Sequence, residues 1–291
     1  MAKADIAVLL ALAAALFVAV GDVLHQRSAQ QVTDEPVGHV ALFAHLLRDR
    51  GWWLGSAVAA GGFGLQAAAL GFGSVLLVQA LLVTSLLFAL PIHARLADRR
   101  VSGREWVWAA LLAAAVIIVV TVGNPTAGQT RASLAAWLEV TAVLGPVLAL
   151  CLIGARIWSG TISAVLLAVA AGALWGVFAV LTKTVVHRLD VTSWDGVVTL
   201  LASPELYAWV FVAVGGTVLQ QAAFRAGALT ASLPAMTIAE PIVACGLGVV
   251  VLGETLQPGE AGWFTLLAAV VVMVVATTAL ARGEAATHEP V

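Results

Sequence analysis

VAAGGFGLQAAALGFG (58–73) aligns without gaps on VAVGGTVLQQAAFRAG (212–227) at an offset of 154. Nine of the sixteen positions are identical, among them the pair Gly61–Gly62 against Gly215–Gly216, and Gln66 against Gln220. Glycine pairs and glutamines are rare enough in apolar runs to make the match informative. A weaker match joins VLLALAA (8–14) to VLLAVAA (165–171) at an offset of 157. Both blocks lie in sequence that only lipid can solvate. The chain of 291 residues is 62% hydrophobic and 10% charged, whereas a soluble domain carries about 25% charged residues. The expected fold class is therefore all-α, a polytopic membrane protein, because lipid leaves no partner for an open backbone group and the weak alternation of a membrane barrel is absent.

A span needs about 20 apolar residues. Nine stretches qualify, at about 5–26, 52–71, 74–94, 105–123, 134–155, 160–182, 206–225, 229–252 and 262–281. Trp52, Trp53, Trp106, Trp108, Trp137, Trp158, Trp209 and Trp263 stand near span starts, as an interfacial aromatic belt requires. Trp175 is mid-span, so it packs between helices or lines a cavity. Residues 37–50 and 191–203 are amphipathic and too short to cross, which suits surface helices or partial re-entrant segments. The N-terminal run outlasts a signal-peptide core and is read as the first span.

Around the repeat the spans divide as four, one and four. Residues 1–130 form the first repeat, 131–157 a linking helix, and 158–291 the second repeat with a short polar tail. An odd linker turns the second half over, so the expectation is an inverted repeat, a transporter architecture. Charge agrees. Ten basic residues, including Arg95, Arg99, Arg100 and Arg104, fall on the side shared with the C-terminus. Four, Lys3, Arg131, Lys183 and Arg188, fall on the other. Basic loops face the cytoplasm, which puts the C-terminus and residues 95–104 inside and the 253–261 turn outside. The expected location is a multi-pass integral protein of the plasma (inner) membrane.

The segment GALTASLPAMTIAEPIVACGLGVVVLGETLQPGE (227–260), followed by a span opening at Trp263, resembles the end of an EamA-type repeat of the drug/metabolite transporter superfamily. Mid-span Glu240–Pro241 and Gly253–Glu254 at the exit carry the likeness. The nine-span layout and the polar exit of the first helix (Asp22, His25, Gln26, Arg27) are similar to the NIPA-like branch, which the resemblance associates with magnesium transport. The first half departs from the pattern. Leu86–Leu87 stand where Glu240–Pro241 would repeat, and Arg99–Arg100 replace Gly253–Glu254.

Glu240 is the first candidate for solute or ion binding. An ionised carboxylate amid TASLPAMTIAEPIVACGLGVVVL costs several kcal/mol unless paired or hydrated, and such a group can exchange a proton for a cation. Pro241 and Pro234 free the carbonyls of Thr237 and Thr230, which become available as ligands. The alternative is a neutral Glu240 hydrogen-bonded for packing. Gln66 and Gln220, as repeat partners, and Gln79 offer amides to a polar solute, or simply bond across helices. Asp22 and His25 share a helix face with Gln26 and would attract cations to a cytoplasmic mouth, or stand solvated at a span end. They do not by themselves make a metal site. Glu139 is expected to meet headgroups or Arg131, and Lys183, Arg188 and Arg225 to snorkel from span ends. Gly172 and Gly176 form a GxxxG that allows close contact within one bundle, or between protomers of a homodimer.

Cys151 and Cys245 lie in apolar runs and form no CxxC or disulfide pattern. There is no GxxxxGK[ST] loop, HExxH or GxSxG, so no cofactor and no enzyme activity is expected. A net charge of −2 gives no reason to expect a nucleic-acid partner. The expected partners are the bilayer and a small solute or cation. The leading expectation is a transporter working by alternating access between the two repeats. The alternatives are a divalent-cation (magnesium) carrier and a non-transporting scaffold or lipid-handling accessory protein.

Overall fold

The computed structural model describes residues 3–32, 50–96, 100–189, 194–226, 229–259 and 262–286. The amphipathic stretch 37–49 and the tail from 287 lie outside them. The described chain is helical throughout: α1 (Lys3–Val32), α2 (Arg50–Phe72), α3 (Val75–Leu82), α4 (Ser85–Leu96), α5 (Gly103–Thr121), α6 (Leu134–Ile157), α7 (Thr161–Arg188), α8 (Trp194–Leu201), α9 (Pro204–Ala226), α10 (Leu229–Leu252) and α11 (Gly262–Ala286). Among the described residues, nine segments are long and apolar enough to cross a membrane, and they coincide with the nine read from the sequence. The third of these segments is made of α3 and α4 together. The short α8 covers most of the amphipathic stretch 191–203.

Helix starts follow local chemistry. Ser74, Ser102 and Ser133 each accept a backbone N–H of the first turn of α3, α5 and α6, which satisfies donors that the helix itself leaves open. At α5 the bond is reciprocal, because the Glu105 side chain reaches back to the Ser102 N–H.

Repeated sequence becomes repeated packing. α1 packs along α2, and α7 along α9. A Cβ on Gly61 would meet the Phe17 ring at 3.2 Å, and one on Gly215 would meet Leu174 at 3.1 Å. A Cβ on Gly62 would meet the Phe17 Cβ and the Val18 nitrogen, and one on Gly216 would meet Trp175. Phe17 and Val18 map onto Leu174 and Trp175 at the offset of 157, while the glycine pairs map at 154. The same small-residue step thus receives the same position of the neighbouring helix in each half. The last helices of the halves, α5 and α11, pack on each other, and α6 lies chiefly against α7. The GxxxG of α7 is used within the chain. A Cβ on Gly172 or Gly176 would come within 2.8 Å of α10, at Met236 O and Glu240 O respectively.

The halves differ at their third segments. Pro234 and Pro241 do not break α10, which runs continuously from Leu229 to Leu252. Thr237 keeps its hydroxyl on the Leu233 carbonyl at 2.8 Å, one of the side-chain bonds by which helices in lipid accommodate proline. The break falls instead at Val83–Thr84 in the first half, where the chain carries no proline; Pro91 lies within α4 and does not break it. There the backbone tightens to i→i−3 bonds (Thr84 N to Leu81 O, 3.0 Å; Leu87 N to Thr84 O, 2.9 Å), and the Thr84 hydroxyl donates to the Leu81 carbonyl.

Candidate functional site

One end of the bundle holds a buried ion pair. α10 ends at Gly253, whose φ of +63° lies in the left-handed region that glycine takes without strain. The chain then doubles back so that the Glu254 N–H donates to the Gly248 carbonyl at 3.0 Å. This drives the Glu254 side chain inward, where it is fully buried. Its Oε1 accepts from Lys183 Nζ at 2.6 Å and from the Val75 N–H at 2.8 Å, and its Oε2 accepts from the Leu76 N–H at 3.0 Å. A Cβ on Gly248 would lie 2.9 Å from Oε2, so glycine is what admits the carboxylate. The first-turn N–H groups and the positive end of the α3 dipole favour the anion, and the ammonium completes its neutralisation. Lys183 is 1% exposed. It does not snorkel, because α7 continues to Arg188 and the carboxylate is supplied inside. The pair joins α7 and the exit of α10, both from the second half, to the start of α3 in the first.

Backbone bonds strap the same end. Thr126 N donates to Thr255 O (2.9 Å), Gln129 N to Leu252 O (2.6 Å) and Gln257 N to Gly123 O (2.8 Å). The loop after α5 and the turn after α10 therefore lie together, at one end of the bundle. Nearby, Glu205 Oε1 accepts from Arg131 Nε at 3.0 Å and from Arg188 Nη2 at 3.1 Å. Arg131 thus pairs with Glu205 at the start of α9 and not with Glu139, which is exposed on α6. Arg188 is likewise paired, while Arg225 is exposed.

Further along the bundle, Trp175 donates its indole N–H to Gln220 Oε1 at 3.0 Å and meets the edge of Phe178 at 5.2 Å between ring centroids. Phe178 stacks on Trp209 at 5.0 Å and Phe63 lies against both, so α2 joins α7 and α9 through aromatic rings. The Trp209 indole donates to the Thr182 hydroxyl at 2.8 Å. The mid-span tryptophan is thus a packing residue that holds one of the candidate amides.

Glu240 is partly buried on α10, its backbone against Gly172 and Gly176. Gln66 is partly buried on α2. Gln79 is 2% exposed on α3, with its Nε2 buried and unpartnered. It lies one helical turn from the N–H groups that hold Glu254. Asp22 and His25 fall on the extension of α1, and their side chains lie outside the described residues. A small apolar cavity of about 180 Å³ opens beside Pro241, between α3, α5, α10 and α11. Thr237, Cys245 and Thr277 line it, and neither Glu240 nor Gln220 does. Among the described residues no three His, Cys, Asp or Glu side chains come together as a metal site would need.

Sequence reasoning read Lys183 as a snorkelling charge and Glu254 only as part of a family likeness, and paired neither with the other. Lys183 stood at the nominal end of a span and Glu254 in a nominal outer turn, where charges ordinarily meet water. The available signal was their isolation. One lysine follows an apolar run of more than 20 residues, and one acid follows a glycine at the close of another.

These elements define a class: a multi-pass α-helical membrane protein. Its family is shown by comparison. The chain is 39% identical over 277 residues to an uncharacterised protein of Corynebacterium glutamicum, with 95% of each chain covered, and it belongs to the same family. No family model matches the chain, and no solved structure matches it.

Proposed function

We propose that the protein is a transporter that moves a small solute across the membrane by alternating access between its two repeats. The observation that carries this reading is the recurrence of the Gly–Gly step in both halves, each receiving the equivalent position of the neighbouring helix. Two bodies built alike and facing each other can exchange roles, which is the requirement of alternating access. The buried joint between α3, α7 and the α10 exit then closes one end of the path, and Glu240 and Gln220 lie deeper along α10 and α9. The resemblance of residues 227–260 to an EamA-type repeat, and of the nine-span layout to the NIPA-like branch, supports this reading. The magnesium alternative rests on Glu240 and on Asp22.

The test is flux into liposomes carrying the purified protein, measured against amino acids, organic acids, amines, sugars and Mg²⁺ as separate classes. A saturable flux for one class is expected, lost in Glu240→Gln and kept in Glu139→Gln. Glutamine keeps the size and most hydrogen bonds of a neutral Glu but cannot ionise, so thermal stability should be unchanged. Flux no greater than in empty liposomes for every class would remove the transport reading. A normal rate and pH profile in Glu240→Gln would remove Glu240 from it.

A further inference from the structure

A second cavity, of about 550 Å³, lies between α6, α7 and α9, and neither Glu240 nor the Lys183–Glu254 pair lines it. This is within the usual range for small-molecule pockets. Its lining is divided by chemistry. Arg131 and Glu205 stand at one end, and Trp137, Leu144, Leu174 and Leu181 are among the apolar residues along the rest. On α6 the lining runs from Leu134 to Leu148, about 21 Å along the axis at 1.5 Å per residue. That is somewhat more than half the thickness of the hydrocarbon core, or about the depth of one leaflet. The linking helix α6 packs chiefly on α7, so the cavity is a groove on the outside of the bundle.

The polar end is incompletely satisfied. Both arginines reach the same Glu205 oxygen, Oε1, while Oε2 is buried with no partner. Arg131 keeps 62% of its side chain exposed, which leaves guanidinium N–H groups to donate outward. The site therefore combines a carboxylate with one oxygen left unpartnered and a guanidinium with N–H groups to spare, above a channel one acyl chain deep.

We propose that this groove binds a phospholipid with a primary-amine headgroup: the ammonium donates to the Glu205 carboxylate, the phosphate meets Arg131, and one acyl chain lies along α6. A choline headgroup has no N–H to give the carboxylate, and a glycerol headgroup has no positive charge for it. This does not depend on what the protein transports.

Delipidated protein in detergent is offered dioleoyl phosphatidylethanolamine, phosphatidylcholine or phosphatidylglycerol, and retained lipid is counted by native mass spectrometry. Phosphatidylethanolamine should be retained about tenfold better than the other two, the factor expected of one charge-assisted hydrogen bond. Glu205→Gln should bring it down to the phosphatidylcholine level. Because that variant also disturbs Arg188, Ala208→Phe is the second arm. Ala208 lines the groove and is exposed, so a ring there fills the channel and leaves the ion cluster intact. It should lower retention of all three lipids at an unchanged unfolding temperature. Equal retention of the three lipids, selectivity that survives Glu205→Gln, or full retention in Ala208→Phe would each overturn the proposal.

Discussion

The third membrane segment of the first half, α3 with α4, and its repeat counterpart α10 behave opposite to their sequences. α10 carries two prolines and an acid, yet it is one helix. The α3–α4 segment has Leu86–Leu87 at the positions equivalent to Glu240–Pro241, yet it is two. The difference lies in what holds each end. The start of α3 is fixed by Ser74 and by a buried carboxylate from the other half, and the segment yields farther along, at Val83–Thr84. α10 is supported along its length by α7, whose Gly172 and Gly176 let the backbones nearly touch, so loss of two N–H donors does not part it. Helix continuity here follows from neighbours more than from local propensity.

The largest effect should come from disturbing the point where the two segments meet. Glu254→Ala leaves Lys183 buried without its partner and should cost about 3–5 kcal/mol, read as thermal or denaturant unfolding in detergent. Lys183→Met combined with Glu254→Leu removes both charges and should cost clearly less than Glu254→Ala alone. If the double replacement is as damaging as the sum of the singles, the pair is not coupled and the joint is wrongly drawn.

Glycine substitutions test the support of α10 at a smaller scale. Gly176→Leu forces a side chain onto backbone atoms 2.8 Å away and should cost about 1–3 kcal/mol or more. Gly246 has open space at its Cβ position, so Gly246→Ala should be neutral or stabilise by roughly 0.5–1 kcal/mol through helix propensity. Equal unfolding midpoints for the two would show that α7 does not brace α10. The smallest effect belongs to the break itself. Thr84→Val removes one buried hydroxyl bond at nearly constant volume and should cost about 1 kcal/mol, measured in the same way. A cost near that of Glu254→Ala would mean that the break, and not the joint, organises the segment.

Lipid makes most of this fold legible. A span must be both apolar and long, so nine segments could be read from hydropathy, and the glycine pairs carried the repeat down to the partner residues Phe17 and Leu174. The break at Val83–Thr84 was illegible, because an i→i−3 turn in an apolar run leaves no compositional trace and the prolines pointed elsewhere. The site was legible in part. Gln220 and Glu240 stood out as polar groups in apolar runs, but Lys183 and Glu254 stood one and two residues beyond nominal span ends. Whether a charge there meets water or another charge is decided by which helices converge, and that is a long-range fact. Trp175 illustrates the same limit: its mid-span position was visible, but its choice of Gln220 as acceptor was not.

The strap between the loop after α5 and the turn after α10 has a mechanical meaning. Thr126 and Thr255 form an isolated antiparallel bridge and share a hydroxyl contact at 2.7 Å, with further backbone bonds on either side of it. The last helix of the first half and the third segment of the second are thereby stitched at a common end by contacts made largely of backbone, which sequence drift does not easily erase. Glu254 directly precedes Thr255, so the strap and the Lys183–Glu254 pair lock one turn from its two sides, like two pins through a single hinge plate, and neither lets go without loosening the other.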